Sequence, residues 1–155
     1  MMATSIRRTI LNAMNTQLSL ITTVNGYETN LGSNINEMRD LESNPFQDTE
    51  LPALNYEYTV ETADITGSKQ EHTISVQAKV KIADSAAATV LDKAISDVIK
   101  NIGATDNFGD TNVELITSIQ VDEEGTEHKE NKVSEAVLSW QVLYSTNRNN
   151  PYSNS

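Results

Sequence analysis

The residues of this 155-residue chain that could do chemistry are two histidines, His72 and His128, and several acidic runs. A zinc site gathers several imidazole, thiolate or carboxylate ligands, usually with two of them close in sequence. Neither histidine has a second at such a spacing, and there is no cysteine. Both therefore read as surface residues, His72 at a strand start and His128 beside a charged turn. Asp106, Asn107 and Asp110, or the run from Asp122 to Glu127, carry the oxygens calcium prefers. Neither reproduces the alternating ligands and terminal Glu of an EF-hand loop. Gly103 and Gly109 lack the companion glycines and Lys-Ser/Thr of a phosphate loop, and no G-x-S-x-G elbow occurs. Carboxylates are plentiful, but a general acid and base must be placed against one reacting atom. The expectation is a protein that is not an enzyme, with no catalytic residue, no cofactor and no metal ligand.

Composition narrows the partners. With 11 basic and 22 acidic residues the formal charge is −11, which repels a phosphate backbone and opposes tight wrapping of nucleic acid. No apolar run approaches the length of a membrane span, and Met-Met-Ala-Thr-Ser lacks a signal-peptide core. A soluble protein made without export is expected. The length suits one domain, residues 1–146, burying roughly 68 to 70% of its unfolded surface, followed by a loose tail at 147–155 rich in Asn and Ser.

The elements follow from hydrophobic periods. Ile6, Ile10, Met14, Leu18 and Ile21 predict a helix over about 5–23, capped by Thr4 or Ser5, with Arg7 and Arg8 on a solvated face and Asn25-Gly26 ending it. A weak strand is read around Asn34 to Met38, then a surface loop from Arg39 to Glu50. Leu54, Tyr56, Tyr58 and Val60 alternate as a strand after Pro52. Gly67-Ser68 tips a long hairpin into a second strand, in which Ile74, Val76, Ala78, Val80 and Ile82 alternate. Within a few residues the period changes. Ala87, Val90, Leu91, Ala94, Ile95, Val98, Ile99 and Ile102 form a helical stripe ending at Gly103. A fourth strand is expected over Val113 to Val121, a charged turn at Asp122 to Glu127, and a last strand from Lys132 to Tyr144 with Trp140 as a core anchor. The fold class is α+β, a mixed, mainly antiparallel sheet of about four or five strands with two helices packed on it.

Three stretches carry a resemblance. They are Ile21-Thr22-Thr23-Val24-Asn25-Gly26-Tyr27-Glu28-Thr29-Asn30-Leu31-Gly32, then Glu50-Leu51-Pro52-Ala53-Leu54 opening a strand, and Trp140-Gln141-Val142-Leu143-Tyr144 near the end. In this order, with the same succession of elements, the chain from Ser5 to Tyr144 resembles the bacteriophage tail terminator proteins, the family of the lambdoid minor tail protein U. Family members often carry more Arg and Asp after Leu-Gly, where this chain has Ser33-Asn34-Ile35-Asn36.

The resemblance implies a homo-oligomer, usually a hexameric ring. Such a ring caps the tail tube at the head-proximal end of the virion, stops its polymerisation and meets a head completion or neck protein. It implies assembly in the host cytoplasm, no membrane, no cofactor and no catalysis, with genome DNA passing through the lumen without specific binding. An acidic ring suits that passage. The physical reading adds candidate partner contacts on two projections: Asp64, Ile65, Thr66 and Lys69 on the hairpin, and Asp122, Glu123 and Glu124 on the acidic turn. A head completion protein is the alternative within phage structure, and a small soluble enzyme the alternative of another class.

Overall fold

The stretch in which two hydrophobic periods meet folds as a strand followed by a helix. In the computed structural model, which describes residues 3–83, 87–127 and 133–154, the elements in chain order are helix α1 (Ile6–Leu18), strands β1 (Ile35–Glu37), β2 (Ala53–Thr66) and β3 (Lys69–Ala83), helix α2 (Ala87–Gly103), and strands β4 (Val113–Ile116), β5 (Gln120–Glu127) and β6 (Val133–Asn147). The class is α+β, two helices on a six-strand sheet that is mostly antiparallel. The sheet order is β1-β2-β3-β6-β4, with β5 also on β6, and β1 alone runs parallel to its neighbour.

One face of the sheet makes the core. Register places Leu54 beside Val80, Tyr56 beside Ala78, and Val76 beside Trp140, all buried. Leu91, Ala94, Ile95, Val98 and Ile102 of α2 and Ile10, Leu11, Met14 and Leu18 of α1 close over them. Ile99 belongs to the predicted stripe by type but is 45% exposed, because at about 100° per residue it falls outside the arc centred on Ala94 and Val98. The opposite face carries Thr59, Ser75, Gln77, Ser139 and Gln141, with Glu135 taking both Lys79 at 3.4 Å and Lys81 at 3.3 Å.

Several expectations shift, each for a local reason. Helix α1 stops at Leu18, and Ile21 is buried outside it. The returning chain presses on its end: a Cβ on Gly32 would lie 2.4 Å from the Ser19 carbonyl oxygen, and the Gly32 amide donates to Ile21 O at 2.7 Å. Arg8 does not stand on a solvated face. Its guanidinium grips Glu37 of β1 through two bonds, 2.9 and 3.1 Å, and donates to the Tyr58 hydroxyl at 3.0 Å. The predicted fourth strand is two strands. The Thr117 hydroxyl accepts the Gln141 amide at 2.8 Å in place of a main-chain carbonyl, which breaks the ladder between β4 and β5. The expected acidic turn, Asp122 to Glu127, lies instead within strand β5, and residues 128–132, with His128 and Lys132, lie outside the described residues. Nor does the chain trail off beyond Tyr144. Strand β6 continues to Asn147, Asn147 N donates to Ser153 O at 2.8 Å, and Ile6 N donates to Pro151 O at 3.0 Å, so residues 147–154 turn back against the start of α1.

Candidate functional site

Residues 20–32 carry the chain from the end of α1 towards β1, and several of their polar groups are bound within the fold. Gly26 takes a left-handed φ of 87°, open to glycine without strain. Asn30 Oδ1 accepts the Thr23 amide at 3.0 Å. Buried Asp97 of α2 accepts the Glu28 amide at 3.0 Å, the Thr29 amide at 2.8 Å and the Thr29 hydroxyl at 2.6 Å. One turn on, Asn101 donates to Gln17 O at 2.8 Å and to the Tyr27 hydroxyl at 3.2 Å, while Gln17 Nε2 returns a bond to Asn101 O at 2.9 Å. Lys100 donates to Gly26 O at 3.0 Å with its ammonium 4.8 Å from the centre of the Tyr27 ring. A carboxylate committed in this way satisfies main-chain donors and is not aimed at a substrate. The sequence alone does not mark Asp97 and Asn101. Their spacing of four on one flank of the stripe was the signal available.

Glu50, the first residue of the second resemblance segment, anchors the preceding loop. Arg39 grips it through two bonds, 2.6 and 3.1 Å, and stacks its guanidinium 4.5 Å from the centre of the Phe46 ring. Those bonds and the Gln47 amide lower the Glu50 carboxyl to a pKa of about 2. Glu37 is also held below the usual carboxylate range, first by its hydrogen bonds to Arg8.

His72 is not a surface residue. It lies in phase with Ile74 and Val76 on the core face, 8% exposed, stacked on Tyr144 at 4.7 Å. Its ring nitrogens meet the hydroxyls of Thr62 at 2.8 Å and Thr146 at 2.7 Å, so it clips β3 to both neighbours. Burial, and then the charge of Arg7, push its pKa down. Both nitrogens are held by hydroxyls of the neighbouring strands at a buried position, so the ring is spent on strand pairing. Among the described residues no group of three or more His, Cys, Asp or Glu is placed to hold a metal ion. No helix of the described residues is long and apolar enough to cross a membrane.

The candidate contact residues fall at two separate places. Asp64 is exposed, accepts from Gln70 at 3.1 Å and lies 3.5 Å from Arg148, and Ile65 is 51% exposed near the hairpin tip. Thr66 ends β2. Lys69 is not a free contact: it donates to Asn147 Oδ1 at 2.8 Å and to Asn154 Oδ1 at 2.9 Å, tying the hairpin to the C-terminal turn. Asp122, Glu123 and Glu124 are exposed on β5, which pairs with Val133 to Ser139 at the other end of β6. The structure does not bring the two groups together. The polar face between them has a depression of about 520 Å³ lined by Ser75, Thr117, Ser118, Gln120, Ser139 and Gln141, all uncharged. Hydroxyls and amides of this kind can hydrogen-bond a partner but offer no acid, base or activated nucleophile. Compared with known proteins, the chain matches no family model and no curated protein.

Proposed function

We propose that this chain is a bacteriophage tail terminator, a subunit of a ring, of six copies in keeping with the family it resembles, that caps the tail tube, halts its growth and provides the joint to the head. The observation that carries the reading is the work done by the segments on which the resemblance rests. Thr23 to Gly32 locks α1 to α2 through Asp97 and Asn101, and Glu50 to Leu54 anchors a loop and opens β2. Within these segments Ile21, Thr29, Leu31, Ala53 and Leu54 are buried parts of the architecture, while Val24 is exposed. The polar face of the sheet suits a subunit that meets other chains. Carboxylates bound to the protein's own donors favour a structural role over catalysis, and the charge of −11 would keep DNA from sticking in a lumen.

The test is a nonsense mutation in this gene in the phage that carries it, with negative-stain imaging of the lysate. Tails of excessive and variable length, restored to normal by the wild-type chain, are expected. Tails of normal length beside filled heads that leak DNA would assign the chain to the neck instead, and intact virions would exclude both roles.

A further inference from the structure

Strand β2 is 14 residues long, yet β1 pairs only with Leu54, Asn55 and Tyr56. Leu54 N donates to Asn34 O, and Tyr56 O accepts from Met38 N. The even-numbered residues of β2 therefore turn their main-chain groups toward β1, and the odd ones toward β3. Beyond Tyr56, the N–H and C=O groups of Tyr58, Val60 and Thr62 face outward along a lane that no described strand fills. On the helix side of that lane, Tyr58 and Val60 are half-buried against the core. On the other side Glu57 and Glu61 are exposed directly across from Gln77 and Thr73, and the nearest cation on that face, Lys79 diagonal to Glu57, is paired with Glu135 at 3.4 Å.

We propose that this lane accepts an extended strand from another protein, continuing the line of β1, with apolar side chains over Tyr58 and Val60 and Lys or Arg beside Glu57 and Glu61. Main-chain hydrogen bonds would supply attachment, and the alternating side chains would supply selectivity. Charge decides against a second copy as the occupant. The other long free edge carries Asp122, Glu123 and Glu124, and β2 against β2 would bring its own carboxylates together; like charges directly across a strand pair are destabilising. Edge carboxylates thus keep copies from zipping edge to edge while admitting a basic strand. The proposal names a partner class for the subunit proposed above, but it does not need the ring, so its test can succeed or fail whatever the tail-length experiment shows.

The probe is a short synthetic peptide alternating lysine and valine, added to the full chain and followed by amide hydrogen exchange. Slowed exchange is expected at Tyr58, Val60 and Thr62. A peptide alternating glutamate and valine, or the lysine peptide N-methylated at alternate residues, is expected not to bind. The double variant Glu57→Gln with Glu61→Gln should weaken the lysine peptide roughly three- to tenfold, as expected for two exposed ion pairs, and flatten its salt dependence. No binding, equal binding of the N-methylated peptide, an unchanged affinity in the double variant, or protection only at Gln120 to Glu127 would each overturn the proposal.

Discussion

The carboxylate of Asp97 accepts both the amide and the hydroxyl of Thr29, at 2.8 and 2.6 Å, across 68 positions of sequence. With the Glu28 amide it holds the connection after α1 against α2. Charge-assisted bonds at a buried site contribute about 1.5–3 kcal/mol each, and orphaned donors add their desolvation cost. Asp97→Ala should therefore lower the stability measured by urea unfolding by about 3 kcal/mol or more. Asp97→Asn keeps the shape and one acceptor and should cost less. Equal midpoints for wild type and Asp97→Ala would show that the connection holds without this clasp.

Gly32 and Gly103 make opposite predictions for the same change. A methyl on Gly32 would lie 2.4 Å from Ser19 O and 2.8 Å from Ile21 O, both main-chain atoms with little freedom to move. Gly32→Ala should cost about 1–3 kcal/mol, the range for forced overpacking. Gly103 ends α2 with open space around it and no left-handed φ, so Gly103→Ala should gain about 0.4–1 kcal/mol through the unfolded chain. Thermal unfolding of the two variants side by side would decide both.

The His72 clip sets a pH dependence whose sign follows from its depressed pKa. The folded state favours the neutral ring, so the unfolded chain binds a proton first as pH falls. Stability should be complete above the ordinary histidine value of about 6.5 and decline below it until the folded ring also protonates. The slope from one group is at most about 1.4 kcal/mol per pH unit. Glu37 and Glu50, whose pKa values are lowered, add a separate loss that begins below their ordinary value of 4.5. Urea unfolding of His72→Gln from pH 8 to pH 4 should lose the upper decline and keep the lower one. Retention of the upper decline would place its cause elsewhere.

Arg39 organises an exposed loop. It binds Glu50, the Asn44 carbonyl at 2.9 Å and the Pro45 carbonyl at 2.9 Å, and lies over Phe46. Limited proteolysis of Arg39→Ala should cut between residues 40 and 49 faster than in wild type, with the unfolding midpoint little changed. Lysine at this position should restore the protection only in part, because it cannot make the paired bonds of a guanidinium. Cleavage at the wild-type rate in Arg39→Ala would show that the loop is held by other contacts.

Hydrophobic period made the core legible from sequence. Ile74 to Ile82, the Trp140 strand and the stripe from Leu91 to Ile102, Ile99 excepted, face inward as read. Polar residues that serve the interior were harder to see. His72 shares the parity of Ile74 but has the chemistry of a surface residue, and Asp97 and Asn101 look like helix surface until the loop that caps them is in place. The break at Thr117 was hidden too, since a hydroxyl replacing a carbonyl leaves the alternation from Val113 to Val121 intact. Partner contacts carry no period at all. Ile65 and Asp122 were found only by their exposure on polar stretches, and the lane beside Tyr58 only by knowing where β1 stops.

Strand β6 pairs with β3 along its whole 15-residue length, whereas its other side is shared between β4 and β5. A load applied along the strands is carried by every rung of the β3–β6 ladder at once, in shear, so the sheet resists stretching between its two ends. Across the strands the outer edge is interrupted at Thr117 to Ile119, where it is fastened to Gln141 by the Thr117 amide donating to Gln141 O at 2.9 Å and by the Thr117 hydroxyl accepting the Gln141 amide at 2.8 Å. The ladder is thus continuous on one side of β6 and irregular on the other, so a load across the strands would fall on the few bonds around Thr117 while a load along them is shared by the whole β3–β6 ladder.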